Sequence, residues 1–350
     1  MNWEQLSKDL RYYFSREFNF PLIPPINVTL NLTYRCNQKC IMCSIRKDNI
    51  DPCVELTLQE IKDIINQVAD WGIPEIVFTG GEPLILKDIF PIIEYTASKN
   101  IRATLITNCF CSKEVLEKLK DLPLSHMQVS VDGADSETHD FIRQAKGSFN
   151  ITVDNLKELL SAPKRKYSIN ATTTILNQNV DQLLEIAMLM KEVGVEKLSI
   201  RPVHADNSDP TSLINKDCTF WIPKERLHVL DDQINKLIKY DNETGFIDCR
   251  PGFEYIKEYF RNGYIRPTNS CYNGYNRLVI AYNERNTYEV WMCGGMLGDI
   301  RRDRLHKIWM SQNAKRVRKK MNQCSKSCAF PCCYEAGLES VFSIIQKNKR

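Results

Sequence analysis

The sequence predicts an α/β fold, a partial barrel of six β-α units followed by a smaller cysteine-rich region. Between residues 26 and 205, short apolar or β-branched runs alternate six times with helical patterns. That alternation implies parallel strands with helices outside them. Beyond about 205 the rhythm breaks, and RLVIAYNERNTYEVWMC (277–293) reads as a hairpin around a polar turn. The residues of unusual chemistry also follow the strands, where parallel α/β folds gather their functional groups.

Residues 1–25 end in FNFPLIPP, whose prolines read as an extended connector. The helical pattern before it is compatible with a membrane surface, but packing against its own domain is the reading taken. INVTLNLTY (26–34) is the first strand, with Val28, Leu30 and Leu32 on one face. Thr57 with Glu60 three residues on is a capping box. It opens a helix striped by Leu58, Ile61, Ile64, Ile65 and Val68 and closed by Gly72. EIVFTG (75–80), RATLITN (102–108), HMQVSVDG (126–133), YSINATTTI (167–175) and KLSIRPV (197–203) are the next five strands. The helices between them run over 88–99, 112–120, 150–161 and 181–193. Six units are fewer than the eight of a closed barrel, so the expectation is a partial (β/α)6 TIM-like barrel. No G-x-G-x-x-G follows a strand, which removes support for a dinucleotide-binding sheet. A connecting helix lies around 224–240, and a later one carries KRVRKK (315–320), read as a solvated basic face. The predicted organisation is a helix and linker (1–25), a core (26–205), a helical connection (206–265) and a small hairpin/helix domain (266–350).

The 350 residues are 43% hydrophobic and 26% charged, ordinary for a soluble globular chain, and the formal charge of +4 does not call for nucleic acid. No run approaches the ~18 apolar residues of a membrane span, and the first residues show no cleavage signal. The expectation is therefore a cytoplasmic protein without a membrane or nucleic-acid partner. Fourteen cysteines stand out against this background. In a reducing compartment, metal binding or catalysis explains them better than disulfides.

Cys36, Cys40 and Cys43 follow the first strand, Gly80-Gly81-Glu82-Pro83 the second and Thr107-Asn108 the third, while Ser130-Val131-Asp132-Gly133 ends the fourth. Three thiolates suit a [4Fe–4S] cluster in which one iron lacks a protein ligand.

C-x3-C-x2-C, GGEP, and SVDG with a downstream Arg143, in this order, resemble the radical S-adenosylmethionine (radical SAM) enzymes over roughly residues 26–205. The resemblance implies that Cys36, Cys40 and Cys43 hold the cluster and that S-adenosylmethionine chelates the open iron. It further implies that Gly80, Gly81, Glu82 and Pro83 receive the amino group of S-adenosylmethionine, with Glu82 as a counter-charge. Ser130 and Asp132 would lie near its ribose and methionine end, with Arg143 on its carboxylate. Asn108 and the end of the fifth strand, Thr174 to Asn177, would line ribose and adenine. Two positions depart from the family pattern: Met42 stands where an aromatic residue is usual, and Cys109 replaces the glycine of Thr-Asn-Gly. Met42 keeps a backbone contact to adenine but not stacking. Cys109 is either a hydrogen-atom donor, as an epimerase needs, or an inert filler of a small-residue position.

Cys271, the hairpin, Cys293-Gly-Gly and the terminal cysteines resemble the SPASM/twitch extension of these enzymes. That resemblance implies one auxiliary [4Fe–4S] cluster on Cys271, Cys293, Cys328 and Cys332, with Cys324 or Cys333 as alternates. A structural zinc site on the same four residues is the alternative, and a second cluster would recruit Cys249 or Cys218. The function expected is hydrogen abstraction from an unactivated C–H of a sugar or cyclitol-type small molecule, with oxidation or epimerisation as the outcome. That substrate choice rests on the shortness of the segment before the core. A peptide-modifying maturase is the alternative, and a non-catalytic iron–sulfur electron carrier or scaffold the second. A flavodoxin or ferredoxin is the electron donor expected.

Overall fold

The computed structural model describes residues 3–43, 55–203, 219–250, 252–262, 271–282 and 287–324. Helix α1 (Trp3–Glu17) precedes β1 (Asn27–Thr33), α2 (Leu58–Asp70), β2 (Glu75–Gly80), α3 (Ile89–Ser98), β3 (Arg102–Thr107), α4 (Lys113–Leu119) and β4 (His126–Ser130). Two helices, α5 (Ser136–Arg143) and α6 (Ser148–Ser161), then lead to β5 (Ser168–Ile175), α7 (Leu183–Val193) and β6 (Leu198–Pro202). After them come α8 (Leu227–Thr244), β7 (Ile247–Asp248), α9 (Phe253–Asn262) and α10 (Asn273–Asn276). Strands β8 (Arg277–Tyr282), β9 (Tyr288–Met292) and β10 (Gly295–Asp299), then α11 (Leu305–Met310) and α12 (Gln312–Asn322), complete the described chain.

The strands form one ten-stranded sheet in the order β10-β9-β8-β1-β2-β3-β4-β5-β6-β7. Strands β1 to β7 are parallel neighbours in chain order, the topology of a partial barrel. All six predicted core strands are present, within two or three residues at their ends. Among the elements that escaped the pattern, three have a plain physical reason. The two-residue β7 is too short to show a period, α5 makes only two turns, and β10 (GMLGD) has little strand propensity and forms by pairing with β9. The C-terminal hairpin is continuous with the core: Arg277 to Ile280 pair in parallel with Asn27 to Leu30.

Alternation along β5 shows how the sheet divides its faces. Ile169, Ala171, Thr173 and Ile175 are buried, the three aliphatic ones in the core cluster with Leu156 and Leu159 of α6 and Ile186 of α7. Ser168, Asn170, Thr172 and Thr174 take the other, partly open face. Helix α2 buries Ile61, Ile64, Ile65 and Val68, and its expected capping box is present, with Thr57 and Glu60 bonding reciprocally.

Two anchors tie the ends of the chain to this frame. Tyr12 of α1 packs with Tyr272 and Tyr275, so the leading helix does lie on its own domain. Arg318 of α12 is buried over the Trp309 ring at 4.1 Å and donates to the carbonyls of Gly274 and Trp309, each at 2.8 Å. It thereby joins α10, α11 and α12 with no acidic partner among the described residues.

Phe78→Ala, at a fully buried ring of β2, should cost about 3–5 kcal/mol of stability, and Thr57→Ala about 1 kcal/mol. Urea unfolding midpoints should fall in that order.

Candidate active site

The site begins where β1 ends. Thr33, whose hydroxyl bonds Glu55, accepts from the Arg35 amide, and the Arg35 guanidinium holds Glu55 through two bonds at 3.1 and 2.8 Å. The loop carrying Cys36, Cys40 and Cys43 is then fastened from two directions. Lys39 and Ile41 donate their amides to the carbonyls of Arg143 and Ile142, each at 3.0 Å. The last carbonyls of α5, which no further turn could satisfy, therefore carry the cysteine loop. On the other side Asn37 donates to the Phe110 carbonyl at 2.7 Å and accepts from Asn108 at 2.8 Å.

The GGEP turn packs against this loop backbone to backbone. Gly81 donates to the Thr33 carbonyl at 2.6 Å and Glu82 to that of Arg35 at 2.9 Å. A Cβ added at Gly80 would lie 2.2 Å from the Thr33 oxygen, and one at Gly81 2.1 Å from the Arg35 oxygen. No side chain fits either position. Pro83 begins the short turn Pro83–Ile85 that follows. Glu82 is buried and accepts from Thr107 Oγ1 at 2.6 Å, the Asn108 amide at 2.7 Å and the Leu84 amide at 3.0 Å. Burial pushes its carboxyl above the usual range despite those donors. Its oxygens brace β2 to β3, a role the sequence reading did not include.

Asp132 and Arg143 meet in a buried ion pair at 2.6 Å, and Arg143 Nη1 reaches Cys40 Sγ at 3.7 Å. Burial works against the guanidinium's charge, and Asp132 and Cys40 outweigh it, leaving Arg143 above its ordinary value. Asp132 also accepts from the Thr174 amide at 2.7 Å, and its own amide donates to His139 Nδ1 at 3.2 Å. Burial, helped by the nearby Arg143, holds His139 down to about 3, so its ring is neutral at ordinary pH.

No group of three or more His, Cys, Asp or Glu side chains among the described residues converges on a single metal-ion position. A [4Fe–4S] cluster asks for something else, one thiolate for each of three irons around a cubane. The loop's chemistry fits that demand. Burial raises the Cys36 thiol to about 11 and the Cys40 thiol above its usual value, so a bound metal's charge is what would hold them as thiolates. Gln38, buried between these two, has its side-chain amide nitrogen without a partner, and so does Arg143 at Nε. Both are donors suited to sulfur.

The expected site residues separate as follows. Cys40, Gly80, Gly81, Glu82, Asn108, Asp132, Arg143 and Thr174 are joined by the contacts above, and Cys36 Sγ accepts from the Gln38 amide at 3.4 Å. Cys43 is exposed at the end of the loop, its amide on the Cys40 carbonyl, while Met42 packs against the core and Ser130 lies on the open face. Asn177 is engaged elsewhere, its carbonyl and side-chain oxygen accepting from Arg226 at 2.6 and 2.7 Å. Cys109 carries two expectations, a hydrogen-atom donor or an inert filler of a small-residue position. Its thiol is 0% exposed in the core, and its φ of 55° is the left-handed conformation that explains a glycine in the family pattern. Asn155 fixes this turn through the carbonyls of Cys109 and Cys111.

On the open face of the sheet, Arg201 and Arg250 both bond Asp248, at 3.2 and 2.8 Å, and Ser199 donates to it at 3.2 Å. Burial opposes its charge, yet the two arginines hold Asp248 down to about 2. Nothing in the motifs pointed to this cluster or to His139, Gln38 and Asn155. Asp135, capping α5 through Thr138, is the signal that could have revealed that helix.

Of the cysteines expected at an auxiliary cluster, Cys271 is half-buried just before α10, Cys293 is exposed at the β9–β10 turn, and Cys324 is exposed just past α12. Gly294 packs on Met321 and Val317 of α12, bringing that turn to the helix that Cys324 follows. Cys328, Cys332 and Cys333 lie outside the described residues, as does Cys218. Cys249 is half-buried beside Asp248.

Fold and site together define a partial-barrel protein with a three-thiol loop on its strand rim. Residues 30–190 match the model of the radical SAM superfamily. It is 33% identical over 171 residues to the AdoMet-dependent heme synthase of Methanosarcina barkeri, covering 49% of this chain and 48% of that one. It is 34% identical over 179 residues to the mycofactocin maturase MftC of Mycolicibacterium smegmatis, covering 51% of this chain and 45% of that one. The chain thus spans about half the length of the curated relatives it matches. In fold it resembles Streptococcus suis SuiB bound to S-adenosylmethionine, with a TM-score of 0.68 and 13% identity over 93% of this chain and 78% of that one. Members of this family bind a [4Fe–4S] cluster and S-adenosylmethionine.

Gly81→Ala should push β2 away from the cysteine loop, so the purified protein should lose most of its cluster iron, measured by iron analysis, and unfold at lower urea. A second expectation concerns acid. Between pH 6.5, the ordinary histidine value, and about 3, the unfolded chain binds a proton at His139 that the folded chain refuses. Stability should therefore fall as pH drops through that window, by about 1.4 kcal/mol per unit at its steepest. Urea unfolding at pH 7 and pH 5 should show this slope, reduced in His139→Asn.

Proposed function

We propose that the chain is a radical SAM enzyme that abstracts a hydrogen atom from an unactivated C–H bond of a polar substrate. The observation that carries this is the assembly on one strand rim of the thiol loop, the glycine turn seated on it and the buried Asp132–Arg143 pair at Cys40. Cys36, Cys40 and Cys43 would hold the cluster, and Gln38 and Arg143 would donate toward its sulfur. When bound, the cluster and S-adenosylmethionine supply one-electron reductive cleavage and so the capacity to remove a hydrogen atom. The chain's own work is placement. Glu82 locks the GGEP turn to β3, the α5 carbonyls fix the loop, and Arg143 keeps positive charge beside Cys40. Electrons would come from a flavodoxin- or ferredoxin-type donor.

A peptide is the substrate class that the relatives favour. One is named a mycofactocin maturase, and SuiB is described as bound to a precursor peptide. The open face of the sheet presents Asn170, Thr172, Thr174 and the Arg201–Asp248–Arg250 group, hydrogen-bonding chemistry suited to a polar ligand. That polarity also keeps a sugar or cyclitol as the second reading. The auxiliary cluster is proposed on the packing of the segments that carry Cys271 and Cys293 against α12, with Cys324 just past its end, while Cys328 and Cys332 lie outside the described residues. A purely electron-carrying protein is disfavoured, since it has no use for the glycine turn and its brace.

Anaerobic reduction of the cluster-loaded protein with S-adenosylmethionine should release 5′-deoxyadenosine, measured by chromatography. Cys36→Ala should abolish the product and remove about four irons per chain. No product from wild-type protein with intact clusters would end this reading.

A further inference from the structure

Helix α1 has two faces with different fates. Asp9, Tyr12 and Ser15 are buried against the domain, while Trp3, Phe14 and Phe18 point outward. Trp3 is 72% exposed and Phe18 66%. Phe14 and Phe18 stack on each other at 5.7 Å in the open. Phe20 and Leu22 continue the surface along the connector. Five of the eleven exposed large hydrophobic residues among the described residues thus lie between positions 3 and 22. A concentration of that kind marks an interaction surface.

A second feature adjoins it. Helix α12 exposes Lys315, Arg316, Lys319 and Lys320, and none pairs with a carboxylate among the described residues. The two helices are bolted together at both ends of α12. Asn19 donates to the Lys315 carbonyl at 3.2 Å, and Asn322 donates to the Arg16 carbonyl at 3.1 Å. Phe18 and Phe20, which flank Asn19, are therefore held beside the cations. Glu17 is the acid closest to Phe18 in sequence, and it pairs with Arg16 at 3.4 Å.

We propose that this face docks on an anionic lipid surface, with the aromatic side chains of α1 entering the headgroup boundary and the cations of α12 over the acidic headgroups. Aromatic residues on one side and cations beside them are the composition of helices that lie in a bilayer interface. The proposal is of a face that lies on such a surface; no helix of the described residues is long and apolar enough to cross a membrane. A second copy of the chain is a poorer occupant. A two-fold contact through α1 would bring the two α12 helices, with their unpaired cations, toward each other. This inference departs from the expectation of no membrane contact drawn from the sequence.

The test is co-sedimentation of the full-length, cluster-loaded protein with phosphatidylcholine vesicles and with vesicles containing phosphatidylglycerol. Binding should appear on the acidic vesicles and weaken with salt. Phe14→Ser with Phe18→Ser, and separately Lys319→Glu with Lys320→Glu, should each lower partitioning about tenfold or more. The control Phe141→Ser with Met188→Ser, exposed apolar residues elsewhere, should leave it unchanged. These positions are at the surface, and 5′-deoxyadenosine release without vesicles should be retained by all the variants. Absence of binding to acidic vesicles at low salt would overturn the proposal, as would equal binding by the α1 variant. A concentration-dependent dimer that the α1 variant abolishes would assign the face to a second copy, and an acidic protein competing for it without vesicle binding would assign it to that protein.

Discussion

The site depends on the contact between the end of β1 and the glycine turn after β2. Two amides of that turn bond carbonyls of the segment leading to the cysteines, and the backbones approach so closely that even a methyl group would overlap an oxygen. Glu82 turns this contact into a three-strand brace, because its buried carboxylate binds the end of β3. The geometry of the cysteine loop is thus inherited from the sheet. A loop held in this way reaches a cluster-binding shape with little further ordering to do, since the sheet has already met much of the conformational cost.

From the other side the loop rests on the C-terminus of α5, whose unsatisfied carbonyls are natural acceptors for the loop's amides. Arg143, the last residue of that helix, brings its charge to Cys40 and its balance to Asp132. A buried cation without the aspartate would be costly, and so would the aspartate without the cation. The pair is therefore both a support and a source of fixed positive potential beside sulfur.

Much of this was legible in the sequence, and the reasons differ by element. Strands β2, β4 and β5 announce themselves because buried and open positions alternate along them, while β3 and β6 are buried over most of their length and read as short apolar or β-branched runs. The cysteine spacing and GGEP are contiguous, so their chemistry is visible without a structure. Helix α5 was missed although it carries the loop, for two turns give too little repeat to detect. Cys109 looked like a rim thiol because it follows a strand. The chain turns there through a left-handed residue, which sends the side chain into the core.

By itself the sequence determined the order of secondary structure, the three-thiol motif, the rim on which the motif falls and the superfamily that residues 30–190 match. These are local properties, set by side-chain period, by spacing and by the few residue types that suit each position. Tertiary structure alone decided what each rim residue is used for. It made Glu82 a brace, paired Arg143 with Asp132, buried Cys109 and joined the C-terminal hairpin to β1 as part of one sheet. Those outcomes depend on which distant backbone or charge comes within a few ångströms, and local sequence pattern does not encode that distance.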